Sequence, residues 1–302
     1  MAGRKRYSIN RYKTFWAWAF LFIPIIFYLS IRFYPTFEAF FISFTSWNII
    51  SATKPFLGLK NYRTLVSDPI FWKTLSNTIK YGLFGLPISL LLSFIVAYLL
   101  NNVRHLVGFF RAVYFIPYLT SLVAVSWVWR WLYQQAPIGL FNSILIVLGL
   151  PQQGFLMDPR QALFAILAPT VWAGLGFPFI IFLASLKSIS PQYYEAADID
   201  GANAWAKLFR ITLPLLKSTF IFLVITGTIN YLRIFTQVLN MTYQGEGGPL
   251  NSTKPIVLYM YNKAFQSFEM GYAATISVVL FVIILTITLL QLRLMRESEH
   301  EA

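Results

Sequence analysis

The side chains that could do chemistry in this chain are few, and their placement argues against an enzyme. The 302 residues include 11 acidic residues, two histidines and no cysteine. The lack of cysteine excludes disulfides, thiolate metal sites and cysteine nucleophiles. His105 and His300 have no partner cluster in the sequence, and Asp198 and Asp200 lack a third ligand. We therefore expect no catalytic centre, no metal site and no cofactor bound by this chain.

The positions of the acidic residues also restrict how the chain could drive transport. All 11 fall outside the long apolar stretches. Ion-coupled carriers use carboxylates within the membrane to take up protons or Na⁺, so ion coupling is not expected. A Walker A phosphate loop needs a Gly-Lys pair, and the sequence contains none. A pump would therefore draw its energy from another polypeptide; the alternative is a passive channel.

A polar stripe follows one face of the fifth apolar stretch. At 100° per helical residue, Thr226, Asn230, Arg233 and Gln237 fall within an arc of about 60°. Such a stripe faces protein or water rather than lipid. Two interpretations are open: the side chains line a solute cavity, or they pair with a neighbouring helix or subunit. In the first, Asn230 and Gln237 bind hydroxyl groups, and Arg233 is a gate or binds an anionic solute.

Glycine and proline interrupt the fourth apolar stretch near its midpoint. Gly174, Gly176 and Pro178 lie there beside Trp172 and Phe177. They can break the helix and expose backbone carbonyls where solute would pass. The alternative is close packing between helices at a subunit interface. Trp172 or Phe177 could stack on a solute ring, although aromatic residues in membrane helices more often serve packing.

Long apolar stretches must position these residues. The chain is 57% hydrophobic and 12% charged, whereas about a quarter of the residues in a soluble domain are charged. Continuous runs of this kind favour membrane-spanning helices over a barrel. The first has a basic start but no small-residue cleavage site, so we expect it to be retained. The sequence predicts one all-α membrane domain with six spans, at about residues 14–35, 78–100, 112–133, 161–186, 216–240 and 272–294.

The basic residues predict the orientation of the spans. The net charge is +13, and Lys and Arg are about twice as frequent in the connections on one side of the predicted membrane as on the other. The positive-inside rule then places both termini in the cytoplasm. Trp127, Trp129 and Trp131, at the outer end of the third span, fit an interfacial aromatic belt. Orientation and contact with lipid headgroups explain the charge, so no nucleic-acid partner is expected.

The connection at residues 187–215, the elbow, is predicted to be a helix–turn–helix on the inner side. Ser190 followed by Pro191 is a typical helix start, and Gly201 permits the left-handed turn that ends the first helix. A second helix with Trp205 follows, and Pro214 marks the return to the membrane. The residues alone leave two interpretations equally open. The elbow is either an amphipathic helix at the membrane interface or a surface that another protein approaches closely.

A longer pattern in the elbow resembles the EAA loop of ABC-importer permeases. Every fixed position of that pattern is present: Glu195, Ala196, Ala197, Gly201, Ile211, Leu213 and Pro214. The resemblance implies that the elbow docks in a groove of a nucleotide-binding subunit, with Glu195 as its main polar contact and Gly201 as the pivot. It also implies that the partner ATPase binds ATP and Mg and that this chain is not catalytic.

Two outer segments resemble the maltose-type carbohydrate subfamily of these permeases. The first contains Ser43-Phe44-Thr45-x-Trp47-Asn48, Gly58-Leu59-x-Asn61-Tyr62 and Asp68-Pro69-x-Phe71-Trp72. The last contains Gly247-Gly248-Pro249, then Tyr259-x-Tyr261-x-x-Ala264-Phe265 and Gly271-Tyr272-Ala273. Glu246 departs from the additional glycine that commonly precedes Gly247.

The resemblance covers nearly the whole chain and implies a type I importer permease fold in a bacterial inner (plasma) membrane. The expected solute is a sugar moved by alternating access, with a polyol, a glycerol phosphate derivative or an osmolyte as the alternative. Besides membrane lipid, the expected partners are a second, homologous permease, two nucleotide-binding ATPase subunits and an extracytoplasmic solute-binding protein. The resemblance further places Thr170, Gly174, Phe177 and Tyr231 on the substrate path.

Overall fold

The computed structural model describes residues 3–51, 53–101, 103 and 107–300, with side chains described between residues 11 and 295 of these ranges. The described residues are mostly helical and form no strand, apart from one antiparallel bridge between Thr45 and Phe56. The predicted all-α class is confirmed. His105 and the side chain of His300 lie outside the described part. The chain divides into two compact units.

The first unit comprises the residues up to 67 together with residues 260–279. A long apolar run in it, Arg11–Ile42, is suited by length and composition to cross a membrane, yet no side chain in its most apolar window is buried. A helix that is apolar all round and unburied in its own chain suits a lipid environment. The helices that contribute to this unit are α1 (Gly3–Tyr28), a π-helical turn (Leu29–Phe33), α2 (Tyr34–Ile42), α3 (Lys60–Val66), and parts of α16 (Ile256–Phe265) and α17 (Met270–His300).

Buried polar side chains fix the loop that follows α2 in the first unit. Asn61 Nδ2 donates hydrogen bonds to the carbonyls of Ser43 at 3.0 Å and Thr45 at 2.8 Å. Thr275 Oγ1 donates to the same Ser43 carbonyl at 3.0 Å. Gly271 approaches this loop so closely that a Cβ would lie 2.0 Å from the Thr45 carbonyl oxygen. Residues of the first and last outer segments therefore pack together as one hydrogen-bonded unit.

The second unit comprises residues 68–259 and the residues from 280 onward. Its first helix starts at a built cap, because the Asp68 carboxylate accepts hydrogen bonds from the backbone N–H groups of Ile70 and Phe71, as the Asp-Pro pair predicts. The helices of this unit are α4 (Pro69–Lys80), a π-helical turn (Tyr81–Gly85), α5 (Leu86–Asn101), α6 (Val107–Leu119), α7 (Leu122–Leu132), α8 (Leu140–Val147), α9 (Ala162–Gly174), α10 (Gly176–Ser188), α11 (Pro191–Ile199), α12 (Ala204–Lys207), a π-helical turn (Leu208–Thr212), α13 (Leu213–Leu215), α14 (Lys217–Leu232) and α15 (Thr236–Met241).

Bends at short breaks distinguish three helix pairs of the second unit. The axes of α6 and α7 meet at 94°, those of α9 and α10 at 43°, and the segment Ala204–Leu215 meets α14 at 65°. The break between α9 and α10 falls at Leu175, where the sequence predicts an interruption. Three other helices, Arg11–Ile42, Pro69–Asn101 and Met270–Met295, are long and apolar enough to span a membrane without such a break. With each bent pair counted as one span, the described residues contain up to six spans by length and composition.

The core of the second unit lies between α5, α10 and α14. The ring of Phe182 lies 5.5 Å from that of Phe94 and 4.7 Å from that of Phe220, and such aromatic pairs contribute about 0.5–1.5 kcal/mol each. Gly176 brings α10 close to α6, since a Cβ at that position would lie 2.7 Å from the Tyr118 Cβ. Close approach at small residues is typical of helix packing in membranes. This packing holds the helices that surround the cavity described next.

Candidate functional site: a polar cavity and an exposed elbow

A cavity of about 640 Å³ lies in the second unit, with walls from α5, α9, α10 and α14. Its volume lies within the range of about 300–1,000 Å³ that is usual for small-molecule sites. Most of the wall is apolar, with a few amide, hydroxyl and guanidinium groups among aliphatic and aromatic side chains. An apolar wall with a few polar groups is the usual composition of a site that binds a small solute.

All but one of the predicted substrate-path residues meet at this cavity. Trp172 is the exception, because it lies two positions from both Thr170 and Gly174 and so points away from them on α9. Its ring lies 6.0 Å from the ring of Trp129 instead, which favours the packing interpretation for Trp172. The predicted residues that line the cavity are Thr170, Gly174, Phe177, Thr226, Asn230, Tyr231, Arg233 and Gln237.

The polar stripe of the fifth stretch is not carried by one continuous helix, in contrast to the prediction. The helix α14 ends at Leu232, and the backbone is non-helical at Arg233 (φ −108°, ψ 19°) and Phe235 (φ −149°, ψ −61°). Helix α15 then begins at Thr236. Asn230 from α14 and Gln237 from α15 nevertheless line the same cavity. The polar part of the wall is therefore shared between two helices and the break that joins them.

Tyr231 contributes a hydroxyl group that lacks a hydrogen-bond partner among the described residues. This buried hydroxyl lies near Ser89 but outside hydrogen-bonding geometry. The ring packs over Gly85, where a Cβ would lie 2.3 Å from the Tyr231 Cε1. Leaving a buried polar group unpaired costs about 1–3 kcal/mol. A water molecule or a solute hydroxyl in the cavity would remove that cost.

Arg233 is the charged residue of the cavity wall. No Asp or Glu lines the cavity, and among the described residues no hydrogen-bond or ion-pair partner of the Arg233 side chain is found. The side chain is exposed rather than buried. The cavity therefore presents a free guanidinium group beside the amide of Asn230.

Sequence reasoning missed several polar residues of the wall, among them Ser89, Tyr118 and Thr236. Ser89 and Ser93 are four residues apart on α5, so a small polar face was readable there. Tyr118 follows Pro117, which lies inside α6 close to the sharpest bend. Thr236 could not be assigned from helical spacing, because the break at residues 233–235 separates it from the regular spacing of residues along α14.

The turn of the elbow has the predicted glycine geometry. Helix α11 starts after Ser190, which has extended backbone geometry and makes no side-chain cap bond. At its end Gly201 has φ +73°, its N–H donates to the Asp198 carbonyl at 3.1 Å, and the N–H of Ala202 donates to the Ala197 carbonyl at 2.8 Å. This pair of bonds is the Schellman motif, in which glycine takes the left-handed position. The local sequence alone therefore suffices to make this turn.

Two side-chain contacts tie the second half of the elbow to the first. Lys207 forms an ion pair with Asp198 across the turn, and the hydroxyls of Tyr194 and Thr212 lie 3.0 Å apart. Asn203 caps α12 by accepting a hydrogen bond from the Ala206 N–H at 2.8 Å. The remaining pattern residues follow: Ile211 lies in the π-helical turn, and Leu213 and Pro214 lie in α13.

One surface of the elbow exposes a carboxylate beside small and apolar side chains. Glu195 and Ala196 are exposed, whereas Ala197 is buried. No partner of the Glu195 carboxylate is found among the described residues. Ile199 and Trp205 are 88% and 69% exposed. Contiguous exposed apolar side chains mark an interaction surface for protein or membrane.

The loop between α15 and α16 is held against α4 by buried polar side chains. Asn77 Nδ2 donates to the carbonyls of Asn251 at 2.8 Å and Lys254 at 3.1 Å. Burial lowers the pKa of Lys254, and the neighbouring Glu246 carboxylate opposes that shift. Gly247 has φ +86°, and a Cβ there would lie 2.4 Å from the Lys254 Cβ. Glu246 has φ −82°, so its backbone does not require the glycine that related loops commonly carry at this position.

Residues 66–296 match the family of binding-protein-dependent transport system inner membrane components. The lactose transport system permease protein LacF of Rhizobium radiobacter is 34% identical over 304 residues, covering 99% of this chain and 100% of that protein. The multiple sugar-binding transport system permease protein MsmF of Streptococcus mutans is 32% identical over 294 residues, covering 97% of this chain and 99% of that protein.

A solved structure has the same fold. It is the crystal structure of a bacterial ABC transporter involved in the import of the acidic polysaccharide alginate, with a TM-score of 0.83 and 24% sequence identity. The likeness covers 97% of this chain and 99% of that one. The predicted importer permease fold is therefore confirmed for this chain.

Proposed function

Because the chain belongs to the family of binding-protein-dependent transport system inner membrane components, we propose that it imports a sugar by alternating access, driven by ATP hydrolysis in partner subunits. The chain is a multi-pass protein of the inner membrane and a permease of the sugar-importing kind. One observation supports the mechanism: α10 and α14, which both line the cavity, are joined by the exposed elbow.

The connection between elbow and cavity is direct in sequence and in structure. Helix α10 runs into the start of the elbow and ends at Ser188, and α14 begins at Lys217, just after the elbow. Both helices line the cavity. Because the elbow is closed by a glycine turn and by the Lys207–Asp198 ion pair, a force on its surface moves α10 and α14 together. Movement of the elbow would thus change the shape of the cavity.

The elbow is the proposed contact with a nucleotide-binding subunit. The exposed Glu195 carboxylate is its main polar contact, Ala196 lets the partner approach closely, and Gly201 is the pivot of the turn. The partner ATPase binds ATP and Mg, and this chain takes no part in hydrolysis. In this proposal the elbow and both termini are in the cytoplasm.

The remaining proposed partners complete the transport path, of which this chain supplies one part. A second, homologous permease completes the path, two ATPase subunits drive it, and an extracytoplasmic solute-binding protein delivers the sugar. Asn230, Gln237 and Tyr231 bind sugar hydroxyls along the path, and Thr170 and Thr226 add further hydroxyl groups to its wall. Phe177 and Gly174 shape it near the break in the fourth stretch.

Reconstituted uptake tests the proposal. The chain is assembled in liposomes with its second permease, both ATPase subunits and the binding protein, and accumulation of labelled sugars inside is measured. We expect accumulation against a gradient with ATP and none with a non-hydrolysable analogue. Omission of the ATPase subunits is the matched control. Equilibration of sugar without ATP would instead identify a passive channel.

The same assembly separates sugar from the other expected solute classes. Polyols, glycerol phosphodiesters and osmolytes are offered to the binding protein in equilibrium binding assays, since that protein sets most of the selectivity. Binding of a polyol or an osmolyte, with no binding of any mono- or oligosaccharide, would keep the importer and overturn the sugar.

A further inference from the structure

The cavity in the second unit carries a cation without any anion. Arg233 lines it together with amide, hydroxyl and apolar groups, and none of the described lining residues is Asp or Glu. The Arg233 guanidinium has no hydrogen-bond or ion-pair partner among the described residues. Its side chain is exposed, so its charge is open to an anionic group that enters the cavity. The described residues of this half of the path supply no such group.

The surroundings of Arg233 are those of a saccharide site. The amides of Asn230 and Gln237 lie on either side of it in sequence, and both line the cavity. The Tyr231 hydroxyl, buried and without a partner among the described residues, adds a further polar group. The rings of Tyr118 and Phe177 also line the cavity and stack on each other with centroids 6.0 Å apart. Amides, a hydroxyl and aromatic faces together suit a pyranose ring.

We infer that the solute is an acidic saccharide, and that Arg233 binds its carboxylate while the neighbouring amides bind its hydroxyl groups. The inference rests on the proposed function and names the substrate class of the same cavity. Arg233 would then be the residue that separates acidic from neutral sugars on the path through this chain.

A carboxylate fits these groups better than a phosphate does. The guanidinium plane offers two parallel N–H groups, which match the two oxygens of a carboxylate. A sugar phosphate carries about two negative charges near neutral pH, and the described wall offers one cation for them. A neutral sugar would bring no counter-charge to Arg233. Charge and geometry thus favour a single carboxylate at Arg233.

Uptake of matched pairs of sugars tests this inference. The assembled importer in liposomes, with its binding protein, is offered galactobiose and digalacturonate, mannobiose and dimannuronate, and lactose and sialyllactose, each at equal concentration. The three acidic members carry their carboxylates on different sugars, so the pairs also separate uronates from sialic acid. ATP-dependent accumulation is measured for the wild type and for Arg233→Gln, Arg233→Lys and Arg160→Gln. Arg160 is an exposed arginine outside the cavity, so its variant controls for loss of charge.

We expect an acidic member to accumulate at least about tenfold faster than its neutral mate, a factor that corresponds to about 1.4 kcal/mol. Arg233→Gln should lower uptake of the acidic member at least about tenfold without a matching loss for the neutral member, so that the preference for the acidic member disappears. Arg233→Lys should give an intermediate rate, because it keeps the charge and loses the paired N–H groups. Arg160→Gln should match the wild type.

Three outcomes overturn the inference. Accumulation of neutral members alone would remove the acidic class and leave the importer function standing. An equal loss of acidic and neutral uptake in Arg233→Gln would indicate that Arg233 pairs with a carboxylate of the second permease. Failure to accumulate any member, although the assembled ATPase subunits hydrolyse ATP, would count against both the acidic class and sugar import.

Discussion

Two interruptions of the helical chain, one in the elbow and one beside the cavity, are built in different ways. The elbow turns at Gly201 with hydrogen bonds between residues close in sequence. The break at residues 233–235 contains neither glycine nor proline, and Ile234 within it is only 4% exposed. Local chemistry therefore fixes the elbow, whereas packing against distant helices fixes the break. We expect the elbow to keep its shape while the cavity changes with the helices around it.

Charge reversal at the elbow surface tests whether the elbow binds a partner subunit, and it should have the largest effect on uptake. Glu195→Lys replaces an exposed carboxylate that has no partner among the described residues, so folding and membrane insertion should be unchanged. We expect ATP-dependent uptake to fall to background, because the variant presents the wrong charge to the ATPase. Uptake in liposomes and the amount of inserted protein are the measurements.

Asp200→Lys supplies the control for this reversal. Asp200 is also exposed and directly follows the last residue of helix α11, five positions after Glu195, which corresponds to about 140° around the helix axis. We expect it to retain at least about half of the wild-type uptake, because it points away from the proposed contact. Normal uptake by Glu195→Lys would remove the docking role of the elbow.

Alanine at Gly201 tests the locally encoded turn itself and should have the next largest effect. Gly201 and Gly149 both have φ +73° with no atom near a new Cβ, and both end a helix with the same pair of backbone bonds. Each substitution should cost about 1–2 kcal/mol of backbone strain. We expect Gly201→Ala to lower uptake about fivefold and Gly149→Ala to leave it unchanged.

The two variants must also be compared for stability, by their apparent melting temperatures in detergent. Similar decreases are expected for both, because the strain is the same. A similar loss of uptake in both variants would show that backbone strain at either turn lowers uptake. That result would contradict a specific role for the elbow.

A substitution beneath Tyr231 tests the opposite side of the comparison, where packing decides. A Cβ in Gly85→Ala would lie 2.3 Å from the Tyr231 ring, and overpacking of this kind costs about 1–3 kcal/mol. The ring must move, and with it part of the cavity wall. We expect uptake to fall about threefold through a higher KM for the solute. Gly108→Ala, where no atom lies near the new Cβ, is the control, and an unchanged KM in Gly85→Ala would contradict the role of Tyr231.

The same contrast explains how much of the molecule was predictable. The elbow was readable because Pro191, Gly201 and Pro214 act on their immediate neighbours. The cap at Asp68 and the interruption beside Gly174 were readable for the same reason. Such residues change the backbone wherever they stand in a sequence.

The missed features depend on contacts between distant residues. The break after Leu232 has no local signal, since it follows from burial of Ile234 and of α15 residues such as Val238. Trp172 was predicted on the substrate path because the sequence located its helix but did not indicate which face of that helix lines the cavity. The predicted residues of the fifth stretch nevertheless line one cavity: residues 226, 230 and 231 share α14, and Gln237 lines the same cavity from α15.

A pair of hydroxyl deletions gives the smallest effects and separates packing from solute binding. The Tyr81 hydroxyl donates to the Thr253 carbonyl at 3.0 Å, whereas the Tyr231 hydroxyl has no partner among the described residues. Tyr81→Phe should cost about 1 kcal/mol of stability, seen as an apparent melting temperature about 2–4 °C lower, with uptake unchanged. Tyr231→Phe should not lower the melting temperature, because that hydroxyl has no partner to lose among the described residues, and it should lower uptake about twofold, because a solute hydroxyl loses its partner. The reverse result, with Tyr231→Phe lowering only stability, would assign that hydroxyl to packing and remove it from the path.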